Sequence, residues 1–256
     1  LGPYIMGYAL TGGQGWNMGY RYVAVLQTAL TILLIFSLPL WKKPGNMDTG
    51  QADAEAETKP LSLLQIVKIP GAREVMVTFF CYCAVEQTTG LWASSYLVLR
   101  QGLSADTAAG FASLFFIGIT AGRAFSGFLT MKLKDTQMVR LGLGLILCGI
   151  VPVLLPLGST GVLSGLILIG LGCAPIYPSI IHSTPEHFGA ARSQAMIGVQ
   201  MASAYAGTCL MPPFFGILAN HISVSLFPVY LLAILVLMTV MYEKMLSKVR
   251  NISLQF

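Results

Sequence analysis

Glu86 stands in the middle of an apolar run, 75 to 99, with Tyr82 four residues before it and Thr89, Gly90 and Ala93 three, four and seven after it. On a helix these positions share one face. A carboxyl at the centre of a membrane helix costs roughly 2.5 kcal/mol or more, and such groups normally face a cavity or a partner. Desolvation disfavours charge, which makes Glu86 a candidate for proton coupling as well as for substrate contact. The plainer alternative is a permanently neutral Glu hydrogen-bonded to a neighbouring helix.

Gln87, Thr88, Thr89 and Gly90 follow in succession. They are poor helix formers, and they predict a local unwinding of the kind around which transporters build midplane sites. Trp92 and Tyr96 offer rings that either stack on a sugar or pack between helices. In a later run, 193 to 219, Gln194, Gln200, Ser203 and Tyr205 form a polar stripe. Gln200 is either a cavity residue or one end of a helix-to-helix hydrogen bond. Arg123 lies towards one end of the run 105 to 131, among Gly118, Gly122 and Gly127, whose small size permits close helix approach. That setting points to a structural or gating role. Pro175, Pro178 and Pro185 should bend the run 161 to 184, and Pro212 and Pro213 the next.

Metal and redox chemistry find little support. His182 and His187 are five residues apart, about 140° round a helix, and the helical zinc motif needs a spacing of four. The five cysteines all fall within apolar runs and none forms a CxxC pair, so they read as small packing residues. Phosphate loops, dinucleotide fingerprints and nucleophile elbows are lacking too. An intramembrane enzyme is therefore the weakest reading, and no cofactor is expected.

The elements that position these residues are membrane helices. From Leu141 to Pro185, and from Ser193 to Tyr242, there is no Asp, Glu, Lys or Arg. A span needs about 20 mostly apolar residues, so each stretch can cross a bilayer twice. The chain is 55% hydrophobic and 10% charged, with a mean hydropathy of +0.73. These runs lack the alternation of barrel strands, and only helices otherwise satisfy the backbone in lipid. Spans are predicted at 20 to 41, 75 to 99, 105 to 131, 139 to 157, 161 to 184, 193 to 219 and 223 to 243, with a partial segment at 1 to 12. The fold class is all-α, a polytopic membrane helix bundle.

Lys and Arg recur in every second loop, at 42 to 73, 132 to 140, Arg192 and the tail from Lys244. The positive-inside rule then places those loops and the C terminus in the cytoplasm. The net charge of +5 reflects topology and anionic lipid headgroups rather than nucleic acid. Residues 44 to 60 are acidic, without aromatics, and read as a linker. Residues 62 to 73 read as a short amphipathic helix on the inner membrane face. Because the chain begins at Leu1 inside an apolar segment, a fragment of a longer protein is expected. The expected organisation is 1–41 as the remnant of an N-terminal half, 42–73 as cytoplasmic linker, 74–247 as a six-helix half and 248–256 as cytoplasmic tail. Within 74–247, two polar helices and one greasy helix recur twice, a three-plus-three pattern typical of secondary transporters.

The stretch Gly122-Arg123-Ala-Phe-Ser-Gly127, followed by Lys132 and Lys134, resembles the second copy of the basic loop motif of the major facilitator superfamily. Thr130 and Met131 stand where that motif commonly has an acidic residue. Tyr82-Cys-Ala-Val-Glu86-Gln-Thr-Thr-Gly90-Leu-Trp92-Ala-Ser-Ser-Tyr96 and Gly170-Leu-Gly172-Cys-Ala-Pro175-Ile-Tyr-Pro178 are similar to helices seven and ten of its fucose-permease-like sugar porter branch. Gly2-Pro3-Tyr-Ile-Met-Gly7 resembles the end of the fifth-helix motif of drug antiporters. The resemblance implies a C-terminal transporter half with an inverted three-plus-three repeat, preceded by the end of helix five and helix six. It also implies alternating access in a cell inner (plasma) membrane, a small polar solute such as a sugar, and proton coupling. A drug or metabolite efflux antiporter of the same fold is the alternative. The expected site is Tyr82, Glu86, Gln87, Thr89, Trp92 and Gln200. Gly122, Arg123, Gly127, Pro175 and Pro178 serve gating or structure. The expected partners are the substrate, a proton, the bilayer and the missing N-terminal half.

Overall fold

In the computed structural model the described residues are 5, 8, 9, 15–37, 63–155 and 157–253. The linker 44 to 60 and most of the segment 1 to 12 lie outside them. The chain divides into two compact units, Leu1–Thr58 and Lys59–Phe256.

The first unit contains α1, Trp16–Ser37. It begins four residues before the expected position, and nearly all its residues are exposed. In the second unit a short helix α2, Leu63–Val67, precedes α3, Ala72–Gln101. Then come α4, Ala105–Leu129, α5, Asp135–Leu154, and α6, Gly158–Phe188. After α7, Ala190–His221, and a 3-10 turn, Val224–Leu226, the last helix is α8, Phe227–Ser253. The expected amphipathic helix at 62 to 73 is shorter than predicted. Pro70 and Gly71, the latter at φ 88°, separate α2 from α3.

Among the described residues six helices are long and apolar enough to cross a membrane: α1, α4, α5, α6, α7 and α8 together with its preceding turn. At 30 residues, about 45 Å at 1.5 Å per residue, α3 also has the length. It is not among the six because Glu86, Gln87, Thr88 and Thr89 dilute its hydropathy. Hydropathy detected every helix but cut most of them short. Several helices run a turn or more beyond their apolar part, and α8 continues through Glu243, Lys244, Lys248 and Arg250.

The packing is reciprocal. The first helix of one triplet, α3, packs chiefly on α7 and α8, while α6, the first of the other, packs chiefly on α4 and α5. Two triplets related by a pseudo-twofold arrange themselves in this way. Glycine makes the α6 contacts close. A Cβ at Gly170 would sit 2.2 Å from the Phe115 carbonyl oxygen of α4, and one at Gly172 would sit 2.6 Å from the Gly142 carbonyl oxygen of α5. In lipid, where apolar surface gains nothing by leaving the solvent, such backbone-to-backbone packing is a main source of association. Half-buried polar side chains add cross-helix bonds: Ser203 Oγ donates to the Met76 carbonyl at 2.7 Å, and Tyr230 Oη to that of Met211 at 2.9 Å.

Candidate substrate and proton site

α3 runs as an unbroken helix through Gln87, Thr88, Thr89 and Gly90, contrary to the expected unwinding. Opening the ladder in lipid would strand backbone donors. The residues are also held by packing: Thr88 and Thr89 are fully buried, and the missing Cβ of Gly90 admits the Phe116 ring.

On that helix Glu86 is half-buried. Its carboxylate lies within electrostatic reach of Tyr82, Cys83, Cys173 and Tyr177, and the Tyr82 hydroxyl is within hydrogen-bonding reach of it. Tyr82 and Cys83 belong to α3, whereas Cys173 and Tyr177 come from α6. The Tyr177 ring stands 5.5 Å from that of Phe79 and 6.1 Å from that of Tyr82. Its hydroxyl donates to Met201 Sδ of α7 at 3.0 Å. Two helices, α3 and α6, thus meet at one carboxylate, and α7 touches the Tyr177 beside it. Among the described residues Glu86 has no ion-pair partner; the three ion pairs lie elsewhere, at helix ends. Arg140 grips Glu243 through two bonds of 2.7 and 2.8 Å, His182 Nδ1 meets Asp135 at 2.7 Å, and Lys248 meets Glu74.

Of the other expected site residues, Tyr82 joins Glu86 as described. Gln87 is half-buried on the adjoining face. Thr89 points its hydroxyl into the core with no hydrogen-bond partner among the described residues. Trp92 sits between α3 and α7: Nε1 donates to the Pro212 carbonyl at 3.0 Å, and the indole meets Phe215 edge-on and covers Gly216. Of its two readings, packing is the one visible. Gln200 makes the helix-to-helix bond that is one of its two readings. It is fully buried, and its Nε2 donates to Thr184 Oγ1 of α6 at 3.2 Å, while that hydroxyl donates to the Ile180 carbonyl at 2.8 Å. A buried amide needs such a partner, and the partner lies sixteen residues back in sequence.

Gly122 and Pro175 act together. Pro175 has no N–H for the Leu171 carbonyl, and Gly122 brings the α4 backbone against that carbonyl, where a Cβ would lie 3.0 Å from the oxygen and 2.5 Å from Ala174 Cβ. Gly127 is different from the expectation, since no described atom lies within 4 Å of its Cβ position and it docks no described helix. Arg123 is exposed and makes no ion pair among the described residues. α6 passes through Pro175 and Pro178 without a break.

Sequence reasoning missed Tyr177 and Cys173 as neighbours of Glu86. The usable signal was a tyrosine between two prolines inside a span. Met201 carried none, as a thioether in an apolar run looks like core.

The family model of the Major Facilitator Superfamily matches residues 1–212. No curated protein matches the chain. Among solved structures, the chain resembles the E. coli fucose:proton symporter FucP, with 15% identity and a TM-score of 0.66 over 89% of this chain and 56% of that one. It also resembles a peptide transporter, POT, solved with alafosfalin, with 19% identity and a TM-score of 0.58 over 68% of this chain and 38% of that one. A POT family transporter bound to a thioalcohol-conjugated peptide is similar at 18% identity and a TM-score of 0.59, over 71% and 39%. The chain spans between about two fifths and just over half the length of these neighbours. At such identities the likeness concerns the fold; the family rests on the model match over most of the sequence, and with the helices already described it makes this an integral membrane protein. The chain belongs to the Major Facilitator Superfamily.

Proposed function

We propose that this chain forms part of a secondary active transporter that moves a small polar solute, a sugar in the first instance, by alternating access and with proton coupling. The observation that carries this reading is the half-open Glu86 carboxylate, reached by Tyr82, Cys173 and Tyr177 and without a basic partner among the described residues. A mid-membrane carboxylate of this kind is a functional-site hypothesis by default. Phenol hydroxyls beside it suit the hydroxyls of a sugar, and aromatic faces suit its C–H surface. In this reading 74–247 is one six-helix half, 1–41 ends the other, 42–73 links them, and the basic loops with the C-terminal tail lie in the cytoplasm of a cell with its plasma or inner membrane as host. Gln87 and Thr89 complete the α3 contribution, and Gly122 with Pro175 sets the α4–α6 contact about which the half moves as a body.

A second reading, proton-driven efflux of a greasier compound, is favoured by the ring of Phe79 and the thioether of Met201 next to Tyr177. Both are adaptable apolar surfaces. The two readings separate in vesicles holding the complete transporter and a pH indicator. Under the sugar reading, one neutral sugar elicits saturable proton movement in its own direction. If no sugar moves protons and organic cations drive them the opposite way, the efflux reading replaces it.

A further inference from the structure

A groove of about 460 Å³ opens where α3 begins and α8 ends, lined by the segment from Val67 to Gly71 together with Arg73, Glu74 and Lys248. Its charge is unbalanced, with three cations, Lys68, Arg73 and Lys248, against the single carboxylate of Glu74. The carboxylate is already taken, since Lys248 Nζ is bonded to Glu74 Oε1. Arg73 is set in place by its Nε, which donates to the Val67 carbonyl at 3.1 Å. Its terminal guanidinium nitrogens donate to no described residue, and neither does the Lys68 ammonium. The guanidinium is therefore preorganised and still has donors in the fork arrangement that matches a phosphate.

The rest of the lining, Val67, Ile69 and Pro70, is apolar, and α2 is anchored beneath it by Ile66, buried to 3% exposure, while Leu63 stays 67% exposed. The groove lies at the end of spanning helices, the level at which lipid headgroups sit. We propose that it is a binding site for the phosphodiester headgroup of an anionic phospholipid, with Lys68 and Arg73 on the phosphate and the apolar rim against the start of the acyl chains. Free inorganic phosphate shares the headgroup's charge but gains nothing from that rim. Basic pockets at the ends of membrane helices recruit acidic headgroups, each cation near the surface being worth about 1 kcal/mol, or about fivefold in affinity.

Native mass spectrometry of the full chain in mild detergent, titrated with phosphatidylglycerol or phosphatidylcholine of matched acyl chains, tests this. Phosphatidylglycerol should be retained at least fivefold better than phosphatidylcholine. Lys68→Gln should lower that retention about fivefold, and because the Lys68 ammonium bonds to no described residue, while its backbone bond to the Gln65 carbonyl is kept, the variant should fold normally. Adding Arg73→Gln should remove the preference, whereas Lys132→Gln with Lys134→Gln, at helix ends outside the groove, should leave it intact. Equal retention of the two lipids, no change in Lys68→Gln, or equal loss in the Lys132 and Lys134 control would each overturn the site. Displacement of phosphatidylglycerol by millimolar inorganic phosphate would overturn the lipid in favour of a free anion.

Discussion

Replacing Gly170 by Ala adds one methyl group between α6 and α4. Its Cβ would lie 2.2 Å from the Phe115 carbonyl oxygen and 3.0 Å from the Ile119 nitrogen. Both are backbone atoms, which cannot rotate aside as a side chain would. Ordinary contact begins at 3.4 Å, so going from 2.2 to 3.4 Å the helices must part by about 1.2 Å. A gap of 0.5–1 Å already forfeits a quarter to a half of the dispersion well, and overpacking of a tight interface costs about 1–3 kcal/mol. Ala returns about 0.5–1 kcal/mol through its better helix propensity, so the net effect is a loss. Gly144 supplies the control: it is helical too, and nothing lies within 4 Å of its Cβ position. Thermal unfolding in detergent should therefore show Gly170→Ala clearly destabilised and Gly144→Ala unchanged or slightly stabilised. If Gly170→Ala unfolds at the wild-type temperature, or if both variants shift alike, close glycine packing is not what holds α6 in the bundle.

Thr184→Val should destabilise more than Gln200→Leu, by about 1–3 kcal/mol for the amide left buried and unpaired, since Thr184 keeps its Ile180 bond when Gln200 is lost; the reverse order in the same unfolding assay would refute the pairing. Partial burial pushes the Glu74 carboxyl up, but the bond to Lys248, a backbone bond of its own and the charges of Lys248 and Arg73 outweigh this and hold it below its ordinary value of 4.5. A carboxyl lowered in the folded state stabilises above its unfolded value and loses that contribution as pH falls through the folded value, so Glu74→Gln should be less stable than wild type at pH 7 and the gap should close below about pH 4.5; a gap independent of pH would contradict this. A cysteine placed at Ser247 or Lys132 should react with an impermeant thiol reagent only from the cytoplasmic side, and labelling in intact cells would reverse the proposed topology.

The fold was legible because the uncharged runs from Leu141 and from Ser193 admit no other solution in lipid. Helix ends were less so: hydropathy stops at Tyr242, yet α8 goes on to Ser253 because Glu243 finds Arg140 and Lys248 finds Glu74. Those partners are 103 and 174 residues away, and no local pattern announces them. Glu86 and Tyr82 were readable as one face of one helix. Tyr177 and Cys173 were not, because they reach Glu86 only once α6 has seated on α4 and α5 through Gly170 and Gly172. For Gln200 two readings stayed open for a related reason: a polar stripe does not say which of its members face a neighbouring helix. The unwinding expected after Glu86 failed because weak local propensity yields to packing once Thr88 and Thr89 are enclosed.

Whether Glu86 carries substrate or proton is decided by comparing concentrative uptake with downhill exchange in the complete transporter bearing Glu86→Gln, which keeps size and hydrogen bonding while removing titration. A proton role predicts loss of concentrative uptake with exchange preserved, and a substrate role predicts that both weaken together through poorer apparent affinity. Unchanged uptake with an unchanged pH profile would rule out both roles and leave Glu86 a structural residue.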